Sequence, residues 1–437
     1  QVGASGVEAI LPNFVMYDPN LKDYTDAKIQ QDVDTFIHDH GFTGFHIPAV
    51  AGYWFDVDGS RDVPTSAADP DPAAFAALEK LITATHEAGG VVHIWPWGDE
   101  GRKQTAEELP GGQNGASDQR LQKHIASRLG ALPGWTIGYG FDLDEWTDNA
   151  KMQEWRNRVN GESGWAHLIS GRSEGPNSGT DHSGDTQWHV GLDYAGYEHH
   201  APSYEVYVAA FEAMHGGQPV NKPVMSEDRF RVRGFDGHGK DFTYDDTRRT
   251  LWIATMAGGA ANIFGNLTKT GGLTVSGNDG GSLPYPDGTL GYPAGTTEVQ
   301  QQIKTWSTFF NDHQRFLVDM ERQNDLTGGP ANQQYALESK DGNLIVIYGE
   351  DTDEIAVKLS ELIGDSDWSA GAKIIAVDTR EVYQEIDLGA FSLTDETIDL
   401  GQTSDWALAV TPVPEPGVLG LLAPVIVGLF VRRPRET

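Results

Sequence analysis

From residue 10 to 267 the chain alternates short apolar runs with stretches in which apolar positions recur at helical spacing. The runs are NFVMYDP (13–19), FTGFHIPAV (42–50), VVHIWPW (91–97), WTIGYGFDL (135–143), HLISGRS (167–173), HVGLDYAGY (189–197), KPVMSED (222–228) and AANIFGN (260–266). The spacing predicts helices over 25–39, 71–90, 118–129, 148–160, 203–215 and 245–257. The clearest is 71–90, where Asp71 can cap the first turn, Pro72 suits the start and Gly89 the stop. Eight strands separated by helices predict a (β/α)8 TIM barrel, with catalytic groups at the C-terminal ends of the strands. A doubly wound open sheet is the other arrangement such alternation permits, but no glycine-rich phosphate loop follows the first strand.

After the last run the pattern changes twice. Residues 269–296 are rich in Gly, Pro and Thr and read as a long surface loop before a helix near 297–313. From Phe316 short alternating runs are broken by turn residues at close intervals, which predicts a small all-β sandwich. The expected organisation is a barrel over 1–315, a sandwich over 316–412 and a tail over 413–437.

Composition narrows the function classes. The 437 residues include no cysteine, so disulfides contribute nothing. Asp and Glu total 64 against 31 Lys and Arg, a net charge of −33, which argues against nucleic acid as a partner. The same charge favours solubility, and screening by salt relieves its self-repulsion. Twelve tryptophans are mostly core by expectation, although sugar-binding clefts also use aromatic rings.

The candidate chemistry lies in GYGFDLDEW (138–146), where an apolar run finishes in Asp142, Asp144 and Glu145. Desolvated carboxylates are costly unless paired, liganded or put to use. The seventh run also finishes in acid, at Glu227 and Asp228. Carboxylates facing one another across a barrel mouth suit glycoside hydrolysis, in which one protonates the leaving oxygen and the other attacks the anomeric carbon or activates water. A calcium loop at Asp142, Asp144 and Asp148 lacks the central Gly and distal Glu of the usual twelve-residue pattern. Pairing of Glu227 with Arg229 or Arg231 would explain only one of the two clusters.

IGYGFDLDEW is similar to the strand-four motif of the retaining glycoside hydrolases of clan A, and KPVMSEDRFR to their strand-seven segment. RRTLWIATMAGGAANIFGN (248–266) resembles the apiosidase-like branch of that clan. The resemblance covers about the first 315 residues and implies Glu145 as acid/base and Glu227 as nucleophile. It departs at Asp144, which stands where the clan usually has an Asn that bonds the neighbouring sugar hydroxyl. An Asp there can only accept, or can raise the pKa of Glu145.

Other residues at predicted strand ends form a substrate-binding set: His46, Trp97, Asp144, Arg172, Tyr197 and His199. For Trp97 a place in the core is as good an expectation as a sugar platform. His189 with YEHH (197–200) hints at zinc but lacks a His-x-x-x-His or three-ligand spacing, so no metal and no cofactor is expected. Two other classes compete with hydrolysis: a non-catalytic carbohydrate-binding matrix protein and a polysaccharide lyase. Paired glutamates favour hydrolysis, because a lyase needs a Tyr, His or Arg base.

The tail VPEPGVLGLLAPVIVGLFVRRPRET (413–437) sets Pro414-Glu415-Pro416 before an apolar run, Gly417 to Val431, and a basic end. The run falls short of the ~20 residues a spanning helix needs. It resembles the bacterial PEP-CTERM sorting signal, which an exosortase recognises and cleaves. That resemblance implies a short hydrophobic helix in transient membrane contact. It also implies export to the cell surface or extracellular matrix of a Gram-negative-type bacterium.

Overall fold

The computed structural model describes residues 12–57, 60–174, 191–198, 203–205, 207–208, 224–226, 229–230, 244–258, 262–264, 297–313, 315, 320–330, 333–363 and 366–414. Its contacts divide the chain into two compact units, Gln1–Val318 with Thr379–Tyr383, and Asp319–Asp378 with Gln384–Thr437.

The first unit is built on parallel strands: β1 (Asn13–Met16), β2 (Gly44–Ile47), β3 (Val91–Ile94), β4 (Trp135–Ile137), β5 (Arg172–Glu174), β6 (Ala195–Glu198), β7 (Val224–Ser226), β8 (Arg229–Phe230) and β9 (Asn262–Phe264). Two parallel sheets are formed, in the orders β4-β3-β2-β1-β9-β8 and β5-β6-β7. A parallel bridge between Ile137 and Ile169 joins β4 to the approach to β5, and β8 follows β7 after two residues. Chain order and this bridge thus bring the ends of the two sheets next to one another. Every residue of β1, β2 and β3 is buried, so these strands are apolar almost throughout rather than alternating. Each run overlaps one observed strand: β1, β3 and β4 open their runs, β5 and β6 close theirs and extend one residue beyond, and β8 falls just after the seventh run, outside it.

Helices alternate with the strands: α1 (Asp26–Val33), α2 (Pro72–Glu87), α3 (Ala116–Leu129), α4 (Asn149–Glu162), α5 (Tyr244–Met256) and α6 (Thr297–Ser307). Caps start three of them. Thr25 Oγ1 accepts from Lys28 N, Asp71 Oδ1 from Ala73 N, and Asp148 Oδ1 from Lys151 N. After α1 and α6 the helical path continues through a wider turn to Asp39 and Asp312, matching the ends expected at 39 and 313. Of the helix expected over 203–215, residues 204–205 and 207–208 are helical and 209–215 lie outside the described residues, as does the loop 269–296. Gly44 opens β2 with φ 151°, and a Cβ there would lie 1.8 Å from Val91 O. The β2–β3 approach therefore requires glycine.

The second unit is an antiparallel sheet of β10 (Met320–Arg322), β11 (Gln334–Ser339), β12 (Ile345–Lys358), β13 (Ala372–Asp378), β14 (Ile386–Phe391) and β15 (Asp395–Pro412). The sandwich expected here takes the form of one continuous sheet, in the order β10-β11-β12-β15-β13-β14. The two longest strands, β12 and β15, slip register between Gly349 and Glu354, and such irregularities bend a strand. Both halves of β12 contribute to one core: Ile345 and Ile347 from the first and Ile355 and Val357 from the second, with Trp368 and Trp406. The expected tail helix at 417–431 lies outside the described residues. Among the described residues no helix is long and apolar enough to cross a membrane.

Candidate active site

The inside of the barrel is filled before its mouth is reached. Phe14, Met16, Ala49, Trp95, Phe141, Tyr194 and Met225 pack into one cluster. Two histidines lie among these apolar groups, and their polar atoms are bonded to one another. His46 Nδ1 lies 2.8 Å from His93 Nδ1, and His93 Nε2 lies 3.1 Å from Tyr194 Oη, which donates to Ile137 O. Gly138 leaves room for this arrangement, since a Cβ there would lie 2.6 Å from His93 Nε2 and 2.5 Å from Trp95 Nε1. His46 therefore belongs to the barrel interior, not to an open mouth as its strand-end position suggests. Trp97 is likewise fully buried. It is a core residue in this structure, not an exposed platform for a sugar.

Beyond β4 the chain keeps its pairing a little longer, with Gly138 N donating to Ile94 O and Trp97 N to Tyr139 O. It then leaves the sheet. Tyr139 at φ 56° and Asp142 at φ 51° adopt left-handed conformations that non-glycine residues seldom hold. A short helical turn, Leu143–Glu145, follows. Phe141, Leu143 and Trp146 are buried, Asp142 is partly exposed, and Asp144 and Glu145 are exposed. The expected acidic strand end is thus an acidic loop whose apolar residues point inward and whose carboxylates point out.

Arg172, the first residue of β5, is nearly buried. Its guanidinium lies 5.1 Å from the Trp95 ring centroid and 5.6 Å from that of Phe141. Its Nη2 lies 3.4 Å from Asp142 Oδ1, so the expected substrate residue and one carboxylate of the loop meet. Glu145 lies among like charges. Partial desolvation, then Asp142, Asp99, Asp144 and Glu100, push its carboxyl pKa above the ordinary value. A proton is therefore retained at Glu145 to higher pH than on a free glutamate.

Asp148 caps α4, and among the described residues no group of three or more His, Asp or Glu side chains is arranged to hold a metal. Tyr197 is in β6, but its side chain, like His199 and Glu227, lies outside the described residues.

Sequence reasoning missed the groups that support the loop from below. Gln113, Asn114 and Asp118, between β3 and α4, are bonded to Tyr139, Lys151, Thr147 and Trp155. Their segment, GGQNGASD (111–118), looks like an ordinary polar turn before a helix.

No protein-family model matches the sequence, and no curated protein matches it. Solved structures do. One described as a glycoside hydrolase superposes with a TM-score of 0.67 at 13% identity, covering 93% of each chain. A glycoside hydrolase family 5 protein from Bacteroides vulgatus ATCC 8482 gives 0.65 at 13% identity, covering 91% of this chain and 89% of its own. At such identities the likeness is one of fold.

Proposed function

We propose that the chain is a retaining glycoside hydrolase of the apiosidase-like branch, acting on a polysaccharide or oligosaccharide. The observation that carries this reading is the acidic loop after β4, in a chain that shares its fold with a glycoside hydrolase over 93% of both lengths. In a parallel barrel, loops at the strand C-termini hold the chemistry. Glu227, which follows the last residue of β7, is the nucleophile and Glu145 the acid/base. In the first step the Glu227 carboxylate bonds to the anomeric carbon while the glycosidic C–O bond breaks and the leaving oxygen takes the Glu145 proton. In the second, Glu145 as carboxylate removes a proton from water, whose oxygen displaces Glu227 from the anomeric carbon. The raised pKa of Glu145 suits the acid role.

Arg172, Asp144, Tyr197 and His199 form the proposed sugar-binding wall, with Arg172 also holding Asp142. His46 and Trp97 are buried and take no part in that wall. No cofactor takes part in this scheme. Glu227→Ala should abolish turnover of every glycoside. Glu145→Ala should spare substrates with very good leaving groups, and azide should rescue its slowed second step. Equal loss in both variants on activated substrates, without azide rescue, would move the acid/base role to Asp142 or Asp144.

The tail from 413 is proposed as a sorting signal for exosortase-type machinery, in transient contact with the membrane before cleavage. This makes the enzyme an exported one, held at the cell surface or in the extracellular matrix. Truncation after Pro414, leaving the Val413 N bond to Gly371 O intact, should preserve activity and unfolding midpoint and end surface display. A large loss of stability on this truncation would overturn the proposal.

A further inference from the structure

The acidic loop begins at Tyr139 and ends at Thr147, and one buried side chain bonds to both residues. Gln113 Nε2 donates to Tyr139 Oη, and Gln113 Oε1 accepts from Thr147 Oγ1 at 2.7 Å. The Trp146 ring stacks on the Tyr139 ring, 5.8 Å between centroids and 17° between planes, and Trp155 meets Tyr139 edge-on. The neck of the loop is thus closed by an amide on one side and by stacked rings on the other.

Gln113 is itself held in place. Its neighbour Asn114, left-handed at φ 60°, donates its backbone N–H to Asp118 Oδ2 at 2.7 Å and its Nδ2 to Lys151 O at 2.9 Å. Asn114 Oδ1 accepts from Gln122 Nε2, and Asp118 Oδ1 accepts from Trp155 Nε1. These bonds fix the Gln113 backbone against α3 and α4 together. An amide offers a donor and an acceptor on one rigid plane, as this pair of partners requires.

We propose that Gln113 is a positioning residue of the active site: its amide staples the neck of the 139–147 loop and so sets where Asp142, Asp144 and Glu145 stand. It touches no reacting atom and acts through the loop. Its effect on turnover rests on the proposed acid/base role of Glu145, whereas its effect on the loop does not.

The two parts are tested separately. Gln113→Leu keeps the bulk and removes both bonds. Hydrogen exchange at the Trp146 and Thr147 amides, which donate to Leu143 O, should then quicken at least ~10-fold while amides of β3 and β4 stay protected. Unchanged exchange there overturns the staple, whatever the chemistry. On glycosides with poor leaving groups kcat should fall about 10- to 100-fold with KM changed far less, because a misplaced acid costs turnover rather than binding. Activated aryl glycosides should lose less than ~3-fold, since their departure needs no proton. Equal loss on both substrate classes makes Gln113 merely structural and overturns the positioning role. Glu145→Ala measured alongside marks the other failure: without leaving-group dependence there, the acid assignment is what has fallen. Thr147→Val removes one bond with little change of shape and should show the same dependence at smaller amplitude. It replaces Gln113→Leu if that variant does not fold.

Discussion

Two buried groups, Asp118 and His40, tie stability to pH in opposite senses. Burial pushes the Asp118 carboxyl up to about 6 from 3.8, against hydrogen bonds from Asn114, Gln122 and Trp155. The folded chain therefore holds this proton more tightly than the unfolded chain does. Its contribution is complete below pH 3.8 and is lost as pH rises through 6. His40 is the reverse. Burial lowers its pKa to about 4 from 6.5, so its contribution is complete above 6.5 and is lost as pH falls through 4. Each shift is worth about 3 kcal/mol, and the windows overlap, so the two largely offset. Denaturant unfolding at pH 4 and 6.5 should expose each by removing the other. Relative to the parent, Asp118→Asn should gain stability with rising pH and His40→Asn should lose it. Identical slopes in all three proteins would refute the assignment. Neither group was legible beforehand, because nothing local in the sequence marks a titratable side chain for burial. Asp142, Asp144 and Glu145 were legible as a cluster, since three acids at the end of an apolar run are expensive without a reason. Their separate environments came from Arg172, Asp99 and Glu100, which a one-dimensional pattern does not bring near.

At the scale of elements, the caps and the tight approaches differ sharply in what they contribute. Asp71→Ala removes one N-cap bond from α2 and should cost about 1 kcal/mol. Gly44→Ala sets a Cβ 1.8 Å from a backbone oxygen of β3, at a φ that alanine resists. Its cost should reach or exceed the ~3 kcal/mol typical of severe overpacking. Unfolding midpoints in denaturant order the two, and a Gly44→Ala protein as stable as Asp71→Ala would mean the strands can part cheaply. The helix around 72–87 could be read from Asp71, Pro72 and Gly89 because capping is local chemistry. Strand extents could not. The run 135–143 is apolar nearly throughout, yet only 135–137 is strand, because Phe141 and Leu143 are buried by a loop that turns inward. Apolar character reports burial, and burial does not distinguish a strand from a loop packed beneath a side chain.

Over the whole molecule, the net charge of −33 sets the response to salt. Exposed pairs such as Lys80–Asp26 and Arg120–Asp69 contribute only ~0–1 kcal/mol each, so screening them costs little. Screening of the excess acid should dominate, and Tm should rise as NaCl increases from ~10 mM to ~0.5 M, where the Debye length shrinks from ~30 Å to a few ångströms. A falling Tm would mean that the ion pairs outweigh the repulsion. The pairing of the first strand with one far along the chain has a consequence in time as well. β1 pairs with β2 on one side and with β9 on the other, so Asn13 waits for Asn262. At ~5–20 residues per second, a ribosome takes roughly 12–50 s to synthesise the intervening chain. Throughout that interval β1 has an unfilled edge, a template on which another nascent chain can add a strand. The seam between β1 and β9 is the last that synthesis can seal and is where a neighbouring copy can intrude before the chain completes its own barrel.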